Sequence, residues 1–123
     1  MQIFDFARVL PTRTNSNNTQ RAYYRWVDRY LVDSAGLKPM KGDFRLERMR
    51  QLPVKLLQQH LTADSLRNWL DVLVAAGHGR QSLDQARAAV VTLTELAAQH
   101  DLLPMEQARS VREVSVPPIA RSD

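Results

Sequence analysis

Asn17-Asn18-Thr19-Gln20-Arg21-Ala22-Tyr23-Tyr24-Arg25-Trp26-Val27-Asp28-Arg29-Tyr30-Leu31 is the stretch that decides the fold. Tyr23, Trp26, Val27, Tyr30 and Leu31 recur at three and four residues, the spacing of one face of an α-helix. Arg21, Arg25 and Arg29 step by four on the opposite face. Ser16, Asn17 or Asn18 can each cap the start, and Gly36 suits the stop. The spacing therefore predicts a helix over about 17–34. Tyr23 and Tyr30 read as core, whereas Tyr24 points further out, where it can touch a partner.

Two further helices follow the same logic. Thr62 caps a helix over about 63–76 whose buried face is Leu66, Trp69, Leu70, Leu73 and Val74, and Gly77-His78-Gly79 stops it. A longer helix covers about 80–100, with Leu83, Ala86, Ala89, Val90, Leu93, Leu96 and Ala97 inward. Its start is either a capping box, Ser82 with Gln85, or Gly79 itself. Pro104 reads as the first position of a short last helix ending near Arg112.

Residues between these helices are harder to read. Residues 1–15 form an N-terminal arm in which Phe4, Phe6, Val9 and Leu10 offer apolar docking groups and Pro11 breaks any helix. Residues 35–52 hold a loop around Pro39 and a short helix with Phe44, Leu46 and Met49 inward. Pro53 to Leu61 is either extended or a helical turn. The tail from Val114 to Asp123, with Pro117 and Pro118, is extended. No stretch alternates with period two long enough for a strand. The expected fold is all-α, a small orthogonal bundle of four to five helices.

Composition bounds the function. A chain of 123 residues makes one domain, with 44% hydrophobic and 24% charged residues in the ordinary globular range. The absence of cysteine excludes disulfides, a thiolate nucleophile and a cysteine zinc site, and fits a reducing cytoplasm. No signal peptide and no apolar run of about 20 residues is visible. His60, His78 and His100 lie in different elements without metal-ligand spacing, so no metal and no cofactor is expected. His78 reads as an exposed loop residue. No Walker loop, dinucleotide fingerprint or nucleophile elbow occurs, and no small-molecule ligand is expected. Carboxylates sit one turn from arginines, as Asp28 does from Arg25 and Glu47 from Arg50, which is the pattern of a solvated helix surface. No catalytic residue is assigned.

The net charge is +4, carried mostly by arginine, since Lys38, Lys41 and Lys55 are the only lysines. Arginine meets phosphate as a planar fork. Thr12 to Arg21 is dense in small hydrogen-bonding side chains, and Gly79-Arg80-Gln81-Ser82 repeats that chemistry at the second long helix. A helix N-terminus already presents free N–H groups and a positive dipole end, so such starts can hold phosphate, singly or together. Plain capping explains the same residues without any ligand.

The ordered set of these elements resembles the N-terminal core-binding domain, of SAM-like fold, of tyrosine recombinases and phage integrases. Asn18-Thr19-Gln20-Arg21-Ala22-Tyr23 is similar to that family's opening NT-x-x-A-Y. Leu61-Thr62-Ala63-Asp64-Ser65-Leu66 resembles its second-helix start, and Ser82-Leu83-Asp84-Gln85-Ala86-Arg87-Ala88-Ala89 sits where the family has T-I-x-x-x-x-x-A. The likeness covers about residues 13–117. Two departures stand out: 36–60 is longer than the usual connection, and Ser82 replaces a threonine, keeping the hydroxyl without the methyl.

The resemblance implies a clamp on double-stranded DNA, closed by a separate C-terminal domain that carries the tyrosine nucleophile and its activators. Helices of the core-binding domain approach the major groove and help neighbouring recombinase protomers meet. By position, Asn17, Asn18, Thr19, Arg80, Gln81 and Ser82 are the first expected DNA contacts, followed by Arg13, Arg21, Gln85 and Arg87. Residues 16–113 then form the core-binding domain, and 114–123 begin the linker toward a catalytic domain lying outside this chain, in a bacterial or phage protein of the cytoplasm. The alternative is a helical protein–protein interaction domain that does not bind DNA.

Overall fold

The computed structural model describes residues 2–119. Met1 lies outside the described residues, as do positions 120–123 of the expected linker. The chain is mostly helical: α1 (Phe6–Val9), a 3-10 turn (Leu10–Thr12), α2 (Asn17–Ala35), α3 (Gly42–Arg50), α4 (Val54–His60), α5 (Ala63–Ala75), α6 (Arg80–Gln99) and α7 (Met105–Arg112). Seven α-helices among the described residues exceed the expected four to five, because the hard-to-read segments add the short α1 and α4.

A strand pair was not expected. β1 (Ile3–Phe4) lies antiparallel to β2 (Leu52–Pro53), pairing Phe4 with Leu52, and Val54 N–H donates to the Gln2 carbonyl at 3.1 Å. Two-residue strands carry no periodicity, so nothing in the sequence marks them.

α2 and α6 are the axis of the molecule. They run antiparallel: Trp26 Nε1 donates to Gln85 Oε1 at 2.9 Å, while Arg13, before α2, reaches Glu95 near the far end of α6 at 2.7 Å. Ala86, Ala89, Ala97 and Ala98 are all buried, and their small side chains let neighbouring helices approach closely. Leu83, Val90, Leu93 and Leu96 are buried beside them. Fully burying a side chain of this size stabilises by about 1.5–3 kcal/mol, against about 1 kcal/mol for a helix cap, so packing dominates here. Thr94 is buried too, its hydroxyl satisfied by the Val90 carbonyl at 2.7 Å.

The N-terminal residues are built into this core. Phe4, Phe6 and Leu10 are buried, and Phe6 meets Tyr24 edge-on at 5.7 Å. That contact overturns the expected outward position of Tyr24, while Tyr23 still packs against the core. Tyr24 is the buried one, 8% exposed, with its hydroxyl donating to the Ala7 carbonyl at 3.3 Å, and Tyr23 is half-buried. The apolar face of α2 is rotated because α1 covers it on the Tyr24 side. Tyr30 is fully buried as expected, packed edge-on against Trp69 and donating to the His60 carbonyl. Burial pushes its hydroxyl up to about 12, ahead of the opposing hydrogen bonds of Ser65 and Ser34.

Other expectations change in the same region. Asp28 is not a solvated neighbour of Arg25. It is 3% exposed, accepting from Arg48 Nη1 at 2.8 Å and from Met40 N–H at 3.2 Å, and so fastens α3 and the preceding loop to α2. Phe44 does not turn inward; it is 77% exposed, while Met49 is buried and Leu46 half-buried. Of the two starts open for α6, Gly79 is the cap, and no side chain caps the helix. Pro104 is the cap of α7 and not its first residue.

Candidate nucleic-acid interface

The start of α2 is exposed and partly open. Ser16 is the cap, its Oγ accepting from Thr19 N–H at 3.3 Å, and Gln20 Nε2 donates to the Thr14 carbonyl at 2.7 Å. Thr19 N–H is thereby satisfied, and Gln20 N–H donates to the Ser16 carbonyl at 3.0 Å. Asn17 and Asn18 are solvent-exposed, and the first turn holds no acidic residue. Such a turn keeps backbone donors and the positive dipole end facing solvent.

Arg21 and Arg25 follow on the outer face, both exposed. Arg21 makes only a long 3.5 Å bond to its own helix, from Nε to the Asn17 carbonyl. Among the described residues neither arginine pairs with a carboxylate, whereas Arg29, one turn further on, is held by Asp33 at 3.0 Å.

The start of α6 is arranged differently. Arg80 and Gln81 are exposed and Ser82 is half-buried. Arg80 Nε bonds Asp84 at 3.3 Å, and Gln85 is held by Trp26. Arg87 donates to the carbonyls of Arg112 and Val114, tying α6 to the end of α7. Arg13 is likewise engaged, bonded with Arg112 to Glu95. Burial raises the Glu95 carboxyl, but the hydrogen bonds and charges of Arg13 and Arg112 outweigh it and leave its pKa below the usual value.

The two starts are not brought together. Asn17 lies nine residues before Trp26, and Arg80 lies five before Gln85 on an antiparallel helix. At 1.5 Å per residue the two N-termini are about 20 Å apart along the axis and face opposite ends of the molecule. Asn17, Asn18, Thr19 and Arg21 thus share one place, and Arg80, Gln81, Ser82 and Gln85 another.

Arg21 and Arg25 also line a cleft of about 650 Å³ between α1, α2 and α3. Arg8 enters it from α1, and Arg45 and Arg50 from α3. Sequence reasoning missed these last three, which lie in segments where no motif was visible. Tyr24 lines the cleft as well; burial and Asp5 raise its pKa and Arg50 opposes them.

The histidines stay apart. His78 is half-buried rather than an exposed loop residue, packed edge-on against Trp26 at 5.6 Å, while His100 faces Phe4. Among the described residues no three His, Asp or Glu side chains gather as a metal site, and no helix is long and apolar enough to cross a membrane. Neither a family model, nor a characterised protein, nor a solved structure matches the chain.

Proposed function

We propose that the chain is a DNA-binding domain of the core-binding type found in tyrosine recombinases, with the orthogonal SAM-like bundle that this implies. In this reading 16–113 grip duplex DNA, 1–15 are an N-terminal arm whose described residues brace the bundle, and 114–123 lead toward a catalytic domain that performs strand exchange. The chain itself supplies no catalytic residue, and its partners are DNA and neighbouring recombinase protomers. One observation carries the reading: the α2 start places Asn17, Asn18, Arg21 and Arg25 in solvent with no carboxylate bound to either arginine among the described residues. Capping needs only Ser16. Two exposed asparagines and two guanidinium groups that meet no carboxylate among the described residues suit phosphate contact.

An NMR titration with duplex DNA at low salt tests this. Amides of residues 17–21 are expected to shift, and the shifts to collapse as salt rises and counterion release gains less free energy. Unmoved amides there, at low salt, end the DNA reading. Amides of 79–83 in the same experiment report whether the α6 start reaches the duplex.

The second reading, a protein–protein interaction domain, is favoured by Phe44, exposed beside a groove with Leu37, Met40, Leu52 and Leu56 between α3 and α4. It predicts self-association or partner binding that Phe44→Ser abolishes, with no salt-sensitive DNA affinity.

A further inference from the structure

We propose that the arginine cleft between α1, α2 and α3 seats backbone phosphates of the bound duplex, as the inner continuation of the α2 start. This rests on the DNA reading above and adds where the phosphate backbone lies.

Five arginines converge on the cleft from three separate elements: Arg8, Arg21, Arg25, Arg45 and Arg50. Two aspartates also line it, leaving an excess of three positive charges. Asp5 is committed to α1, its Oδ1 accepting from Arg8 N–H at 3.0 Å. Asp43 stands in the first turn of α3, where it complements the helix dipole. Arg50 shares Glu47 at 3.1 Å, and Arg45 spends its Nε on the Met40 carbonyl, which leaves its two terminal nitrogens free of that bond. Arg8 and Arg25 meet no carboxylate among the described residues, and both are exposed.

Gathering like charges in a concavity is unfavourable for the free protein. The same concavity focuses the field and draws in an anion. Guanidinium forks match phosphate oxygens two at a time, which favours phosphate as the anion. Position then points to a polymer. Arg21 and Arg25 are one helical turn, about 6 Å, apart, and they belong both to the cleft and to the stripe that begins at Asn17. A phosphate chain contacting Asn17 and Asn18 runs along that stripe toward Arg8 and Arg45.

Fluorescence anisotropy with a labelled duplex, repeated across salt concentrations, tests the assignment. The double variant Arg8→Gln/Arg25→Gln is expected to lose roughly tenfold or more in affinity. The slope of log affinity against log salt should shrink by about 2, one for each lost phosphate contact. Arg67→Gln on α5, whose guanidinium faces Asp64 at 2.8 Å, should stay within about twofold of the wild type. Where melting curves show the glutamine variant unfolded, Arg8→Lys/Arg25→Lys takes its place. It should keep the slope, because the charges remain, and still bind more weakly, because the forks are gone. Salt-sensitive duplex binding with slope and affinity unchanged in these variants overturns the cleft and leaves the DNA reading standing. A wild type that shows no salt-sensitive duplex binding overturns both. A wild type that captures polyglutamate peptide through Arg8 and Arg25, and no duplex, overturns the assignment in favour of an acidic protein partner.

Discussion

The α2 and α6 starts share a composition and differ in what their arginines do. Both place Ser, Gln, Asn or Arg around a helix N-terminus with no acidic residue in the first turn. At α2, Arg21 and Arg25 face solvent and a basic cleft. At α6, Arg80 leans on Asp84 and Arg87 is spent on the chain's own carbonyls. Polar residues at a helix start therefore define an opportunity, and the distribution of partner groups decides whether it is used for ligand or for fold. Arg87 shows this most directly, since its expected DNA contact would compete with two hydrogen bonds that hold α7.

The comparison breaks most visibly in stability. Arg87→Ala is expected to cost about 2–3 kcal/mol, because it removes two charge-assisted hydrogen bonds and leaves two carbonyls short of a donor. Arg25→Ala should change stability by less than about 0.5 kcal/mol, as for an exposed side chain without a partner. Urea unfolding of the two variants side by side measures the contrast, and equal losses would erase the distinction between the starts.

A smaller effect belongs to Glu95, which joins the approach to α2 with the far end of α6 and α7. Glu95→Gln should cost about 1 kcal/mol at neutral pH, discounted because Arg13 and Arg112 are partly exposed. The folded-state pKa of Glu95 is below its unfolded value, so its contribution is present above the unfolded value. It is lost as pH falls through the folded one. Wild type and Glu95→Gln should therefore converge in stability under acid, read from unfolding curves at pH 7 and pH 3.

The smallest effect compares how the two helices end. α2 stops at Gly36 in the left-handed region, and just past α6 the same conformation falls on Asp101, at φ 60°. Asp101 N–H and Leu102 N–H close the end on the carbonyls of Ala98 and Ala97. Asp101→Gly is expected to raise stability by about 0.5 kcal/mol, relieving a backbone that favours glycine. A differential-scanning melt shifted upward by a few degrees or less checks it.

The long helices were legible because three- and four-residue spacing and caps such as Ser16, Thr62 and Gly36 act locally. The errors have distant causes. Tyr24 is buried, not outward, because Phe6 and Ala7, from another segment, cover that side of α2. Asp28 looked solvated until Arg48 and Met40 were placed over it. Phe44 is apolar but has no neighbour deep enough to bury it. The cleft was invisible because Arg8, Arg25 and Arg45 meet only after three elements fold together. The α2 start was legible as polar chemistry; that its arginines meet no carboxylate among the described residues was not, since pairing is a property of space.

The small strand pair has a consequence in time. Residues 3–4 leave the ribosome before their partners, 52–53, which follow about fifty residues later, and His100, which faces Phe4, comes later still. Closing such long loops is entropically costly before their contacts form. The earlier-made partner is thus placed only after the later one arrives. Until it docks, Tyr24 lacks its cover and the wall of the arginine cleft that carries Arg8 is missing.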